Sequence, residues 1–135
     1  MTDDRVGVGS RRESRETVLG LLYEAEIAGR APSDVLAAQD VPTDEFAAAM
    51  VQAIDQHQDE LDALLEKYSR GWTVDRMPVI DRVVLRMGAF ELLHRPDVPT
   101  GACLSEAVDL VSQYSTEKSS SFVNGLLARI ADEVR

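Results

Sequence analysis

Cysteine is nearly absent from these 135 residues: Cys103 stands alone. An internal disulfide is therefore excluded, and a single thiol within ACLSEAV, on a helical pattern, reads as a small buried hydrophobe rather than a nucleophile. Long apolar runs are missing too. No stretch reaches the roughly 18–20 uncharged apolar residues that a membrane span needs, and the N-terminal MTDDRVGVGSRRESR lacks the apolar core of a signal peptide, so a cytoplasmic protein is expected. Alternating clusters of aromatic and β-branched residues do not occur, which removes the strand signal. No phosphate-cradling glycine loop or Ser-His-Asp arrangement can be assembled. His57 and His94 are the two histidines, separated by a long interval and without companions at ligand spacing. No catalytic residue, metal or cofactor is expected.

What is present is a 44% hydrophobic chain long enough for one compact core. The formal charge of −10 argues at first against a nucleic-acid partner, but it is unevenly spread. Between Ala31 and Arg70 nine acids face Lys67 and Arg70. From Arg5 to Arg15 four arginines face Glu13 alone. A basic end on an acidic protein still holds phosphates, because salt screens distant charges within roughly 8 Å.

Helical periodicity runs almost throughout. GSRRESRETVLGLLYEAEIAGR opens with Ser10 as N-cap after a flexible segment 1–9, and closes near Gly29. Pro32 and Ser33 start a short helix with Ser33 as its cap. Thr43 begins the next, followed three residues later by Phe46 rather than the Glu of a capping box. One long helix then reaches about Tyr68. Gly71-Trp72-Thr73 breaks the run, and Pro78 suits the first turn of PVIDRVVLRMGAFELLHR. That helix is apolar around most of its circumference and should be central. Pro96 and Pro99 precede ACLSEAVDLVSQY, and Ser115-Thr116 lead into the last helix. The expected fold is an all-α bundle of about seven helices, one domain over 10–135 with subdomains of 10–70 and 71–135.

The last helix, SFVNGLLARI onward, carries Gly125 in its middle at a cost of about 1 kcal/mol relative to alanine. Val123, Leu126, Leu127, Ile130 and Val134 form its bulky face, while Ser121, Gly125 and Ala128 fall nearly opposite, at about 100° per residue. Such a small face would let another helix backbone approach and offset the glycine's cost. Asn124 either satisfies a loop or helix end with its amide, or faces water.

Taken together, RRESRETVLGLLYE, GWTVDRMPVIDRVVLRMGAFELLHRPDVP, LSEAVDLVSQY and SSSFVNGLLARI resemble the NusB family of bacterial transcription antitermination factors. The resemblance implies a non-enzymatic, RNA-binding role in ribosomal RNA transcription. It implies single-stranded boxA RNA, the ribosomal protein NusE and the transcription elongation complex as partners. The same fold begins some ribosomal RNA methyltransferases, and this chain, ending before any such catalytic domain, reads as the free-standing factor.

Arg11, Arg12 and Arg15 match the family's arginine-rich motif. Their guanidinium forks suit phosphates and stack on unpaired bases. Glu13 interrupts the run. Tyr23 projects about 20° from Arg12 around the helix and is either a stacking and partner-contact residue or a core edge. Phe122 either closes the core or offers its ring to a base; Lys118, before it, adds a phosphate contact or alters base preference. Tyr23, Ile27 and Asp81 are assigned to the protein partner. Glu91, on the apolar stripe of the central helix, needs a structural partner, best an arginine. Two rival readings stay open: a helical adaptor without RNA affinity, and a homodimer that hides the RNA surface.

Overall fold

The computed structural model describes residues 4–135, with side chains described from Arg11 onward. Among the described residues there are six α-helices, one 3₁₀ turn at Val74–Arg76 and no strand. They are α1 (Asp4–Ala28), α2 (Pro32–Ala37), α3 (Glu45–Tyr68), α4 (Val79–His94), α5 (Thr100–Tyr114) and α6 (Ser119–Val134). Of the expected flexible segment, residues 1–3 lie outside the described residues. Because α1 begins at Asp4, Ser10 lies within the helix rather than at its start. Gly7 and Gly9 weaken a helix without ending it.

The caps move by a residue or two from their expected places. For α2 the N-cap position is Ala31, with Pro32 as first helical residue, so Ser33 lies inside. The α3 cap is Asp44 instead of Thr43: its Oδ1 accepts from the Ala47 N–H at 2.9 Å and from Ser14 Oγ at 2.9 Å. A carboxylate there also matches the positive end of the helix dipole. At the other end of α1, Gly29 adopts φ 65° and the Arg30 N–H reaches back to the Ala25 carbonyl at 3.0 Å. This six-to-one bond through a left-handed glycine is the Schellman closure.

The chain divides into two compact units, one ending at Gln56 and one running from His57 to Arg135. The division falls inside α3, whereas the sequence places it near Gly71. In the first unit Val18, Leu21, Leu22, Val35, Met50 and Ile54 are buried. In the second, α4 is central, packing on both α5 and α6. Every residue of α4 from Val83 to Leu92 is buried, including two charged ones. Arg86 meets Asp62 of α3 as a two-pronged fork, Nε to Oδ1 at 2.7 Å and Nη2 to Oδ2 at 3.0 Å. Glu91 is 2% exposed.

Gly125 does not mark a close helix crossing. A Cβ there would meet only Arg129 Nη1 at 3.6 Å, an ordinary contact with a flexible side chain. The crossing lies instead at Gly88 of α4, where a Cβ would fall 2.6 Å from Leu127 Cδ1 on α6. Asn124 is exposed and faces water.

The guanidinium of Arg135 finishes this unit. It donates to the carbonyls of Glu91, Leu92 and Arg95 at 3.0, 3.0 and 2.9 Å. The Glu91 and Arg95 carbonyls also accept backbone N–H groups, from Arg95 and Val98, each at 3.0 Å, and a cation there complements the negative end of the α4 dipole.

Candidate nucleic-acid interface

The first unit presents the arginines on α1. Arg11 and Arg12 are exposed. The Arg11 guanidinium carbon sits 4.6 Å from the centre of the Phe46 ring, a cation–π contact that holds the fork in place while leaving it open to solvent. Arg15 differs from its neighbours. It is 7% exposed, with its guanidinium 5.7 Å from the same ring, so this fork is committed within the protein rather than offered to phosphate. Farther along α1, Tyr23 is 41% and Ile27 61% exposed. Arg12 and Tyr23 share one side of the helix, about 16 Å apart along its axis. Tyr23 is therefore a surface residue and not a core edge.

In the second unit a different surface forms where α3, α4 and α6 begin or end. After α3 the chain reverses through Arg70 at φ 58° and Gly71 at φ 98°. This left-handed pair turns Trp72 outward, 51% exposed. Side chains around the turn fix it: Glu66 Oε2 accepts from the Val74 N–H at 2.8 Å, Ser69 Oγ donates to the Trp72 carbonyl, and Arg129 Nε donates to the Tyr68 carbonyl at 3.0 Å. The Trp72 ring then stands 6.3 Å from that of Phe122, inclined at 59°.

Between them opens a cleft of about 300 Å³, lined by Trp72, Met77, Pro78, Asp81, Thr116, Lys118, Ser119 and Phe122. Lys118 is exposed and Phe122 half-buried. Aromatic faces beside a cation suit an unstacked base and its phosphate.

Asp81 does not stand free on this surface. It is 3% exposed; its Oδ1 accepts from Ser115 Oγ at 2.6 Å and its Oδ2 from Ser119 Oγ at 2.9 Å. Thr116 in turn donates to Ser119 Oγ, from its N–H at 3.3 Å and its hydroxyl at 2.9 Å. Asp81 therefore ties the start of α4 to the start of α6, and so places Lys118 and Phe122. At 3% exposure its carboxylate offers little surface for direct contact with a partner.

The model of the NusB family matches residues 12–132. The chain belongs to the NusB family. The transcription antitermination protein NusB of Thermobifida fusca is 43% identical to it over 129 residues, covering 93% of this chain and 91% of that protein. NusB of Kineococcus radiotolerans is likewise 43% identical, over 93% of this chain and 95% of its own length. Among solved structures, T. maritima NusB superposes with a TM-score of 0.84 at 32% identity, covering 91% of each chain. A complex of antitermination factors NusB and NusE with double-stranded RNA contains a chain that superposes at 0.78 with 29% identity, over 91% of this chain and 96% of that one.

Of the residues expected at the interface, Arg11, Arg12 and Lys118 are exposed and Phe122 is half-buried. Arg15 and Asp81 are buried, which no single sequence displays. Trp72 is legible in the sequence only as part of a helix break. A lone tryptophan in a Gly-flanked loop is nevertheless the kind of exposed aromatic that marks a binding surface. Phe46, the platform beneath Arg11, lies on the α3 apolar stripe and gives no separate signal.

Proposed function

We propose that this protein is a non-enzymatic, cytoplasmic transcription antitermination factor that binds the boxA segment of nascent ribosomal RNA together with NusE, within the elongation complex. The observation that carries the reading is the likeness, over nearly the whole chain, to a NusB held with NusE and RNA. Arg11 and Arg12 supply phosphate contacts from the first unit. Lys118, Phe122 and Trp72 supply a phosphate contact and a stacking cleft from the second. Tyr23 and Ile27, an exposed apolar pair one turn apart on α1, supply protein contact, while Asp81 acts through α6. The cleft favours single-stranded RNA, because only an unpaired base can leave its stack to enter it.

Trp72 is the one tryptophan in the chain, so its fluorescence reports on the cleft. Titration with a single-stranded boxA-like RNA should quench it saturably, and a hairpin that pairs the same bases should quench it less. Phe122→Ala should weaken binding by about 1–3 kcal/mol, the worth of one stacked base. RNA binding detected by another signal, with unchanged Trp72 emission and unchanged affinity in Phe122→Ala, would remove the cleft from the interface.

The net charge of −10 and the exposed Tyr23–Ile27 pair favour one alternative, a helical adaptor that binds NusE without RNA. Under that reading both RNAs bind negligibly while the NusE contact persists.

A further inference from the structure

The two histidines, remote in sequence, meet in the second unit. His57 and Glu60 lie one turn apart on α3, and His94 closes α4. Glu60 Oε1 stands 3.2 Å from His57 Nδ1 and 3.0 Å from His94 Nε2. The imidazole rings are 4.4 Å apart between centroids, and all three donor atoms lie within 4.8 Å of one another. Buried Phe90 supports both rings from α4, with centroids 5.3 Å from His94 and 6.4 Å from His57.

We propose that His57, Glu60 and His94 bind one divalent transition-metal ion of the zinc class, clipping α3 to the last turn of α4. Two imidazoles and a carboxylate are the donor set such an ion prefers. Metal–ligand bonds of about 2.0–2.2 Å in a tetrahedron place neighbouring donors about 3.3 Å apart. Two sides of the triangle, at 3.0 and 3.2 Å, already have nearly this length. Only the distance between the two imidazole nitrogens needs to contract, through small side-chain rotations.

The side chains are 40%, 51% and 32% exposed for His57, Glu60 and His94, so an ion can enter from solvent and keep a water as its fourth ligand. Asp59, next to Glu60 on α3, adds a further negative charge beside the site. Without metal, the same geometry is an ordinary hydrogen-bonded cluster in which His94, beside Glu60, holds its carboxyl below the usual carboxylate range, chiefly by hydrogen bonding. Metal binding exchanges the N–H protons facing Glu60 for the ion, each proton passing to the other ring nitrogen or, from an imidazolium, to solvent.

The test uses the full chain without an affinity tag, titrated with Zn²⁺ by calorimetry and followed by NMR of the imidazole protons. With two histidines in the chain, both ring signals should move together and saturate at one ion per chain. Co²⁺ should give the visible absorption of a four-coordinate site. His57→Gln, Glu60→Gln and His94→Gln, checked for native helicity, should each weaken Zn²⁺ binding at least tenfold. Absence of one-to-one binding, or undiminished affinity in the two histidine variants, would overturn the assignment.

Discussion

Replacing Gly88 with alanine adds one methyl group where α4 meets α6. That carbon would fall 2.6 Å from Leu127 Cδ1, 3.1 Å from Cδ2 and 3.5 Å from Cγ, whereas carbon atoms pack best at about 3.5–4.0 Å. Leu127 is 0% exposed, so the leucine can yield only by pushing on the surrounding core. Overpacking of this kind costs about 1–3 kcal/mol. Against it stands a gain of about 1 kcal/mol from helix propensity.

Gly125→Ala is the matched control, because it carries the same propensity gain in the interior of α6. Its new methyl would meet only Arg129 Nη1 at 3.6 Å. With propensity cancelled between the two variants, Gly88→Ala should be less stable than Gly125→Ala by about 1–3 kcal/mol. Gly125→Ala should equal or exceed the parent. Urea unfolding with a common slope measures the difference directly. Equal stability of the two alanine variants would refute the claim that the crossing lies at Gly88.

Other consequences follow from the polar pairings. Asp62→Ala removes the carboxylate that holds the Arg86 fork by two hydrogen bonds and should cost about 1.5–3 kcal/mol, the worth of hydrogen bonds between charged groups; the double variant with Arg86→Met should recover part of that loss in a thermodynamic cycle. Arg135→Ala removes side-chain donors to three carbonyls at the end of α4, of which those of Glu91 and Arg95 keep a backbone N–H. It should destabilise the protein by about 2 kcal/mol and raise amide exchange in the last turn of α4. Asp81→Ala leaves Ser115 and Ser119 without their shared acceptor, with an expected loss of about 1–3 kcal/mol. It should also weaken RNA binding while leaving α1 intact, measurable by comparing unfolding and affinity in the same variant.

Much of this molecule is legible in its sequence because helices declare themselves locally. The apolar stripes locate the long helices, Gly29 marks the end of α1, and the largely apolar circumference of α4 announces its central place. Caps are less legible where two capping residues adjoin: Thr43 and Asp44 are both able, and only the meeting of Asp44 with Ser14 decides between them. Pairings across distant segments leave no local trace at all. Arg86 with Asp62, Asp81 with two serines, and His57 with His94 each join residues that periodicity treats as independent. For the same reason Gly125 stands out by its place in a helix, while Gly88, whose partner lies on another helix, does not. Exposure divides the arginine motif in a way that composition cannot, leaving Arg11 and Arg12 outside and Arg15 within.

Whether the basic start of α1 holds RNA phosphates in a boxA-selective complex can be read from a salt titration of RNA affinity. The parent and an Arg11→Ala/Arg12→Ala variant would be compared on a boxA-like RNA and a scrambled one, with and without NusE. The parent should bind boxA-like RNA selectively, more tightly with NusE, and the logarithm of its affinity should fall linearly with log salt. In the variant the slope should be shallower by about 0.7 for each phosphate that the missing guanidinium groups no longer neutralise. Identical affinity and slope in parent and variant, or equal binding of both RNAs by the parent, would contradict this reading.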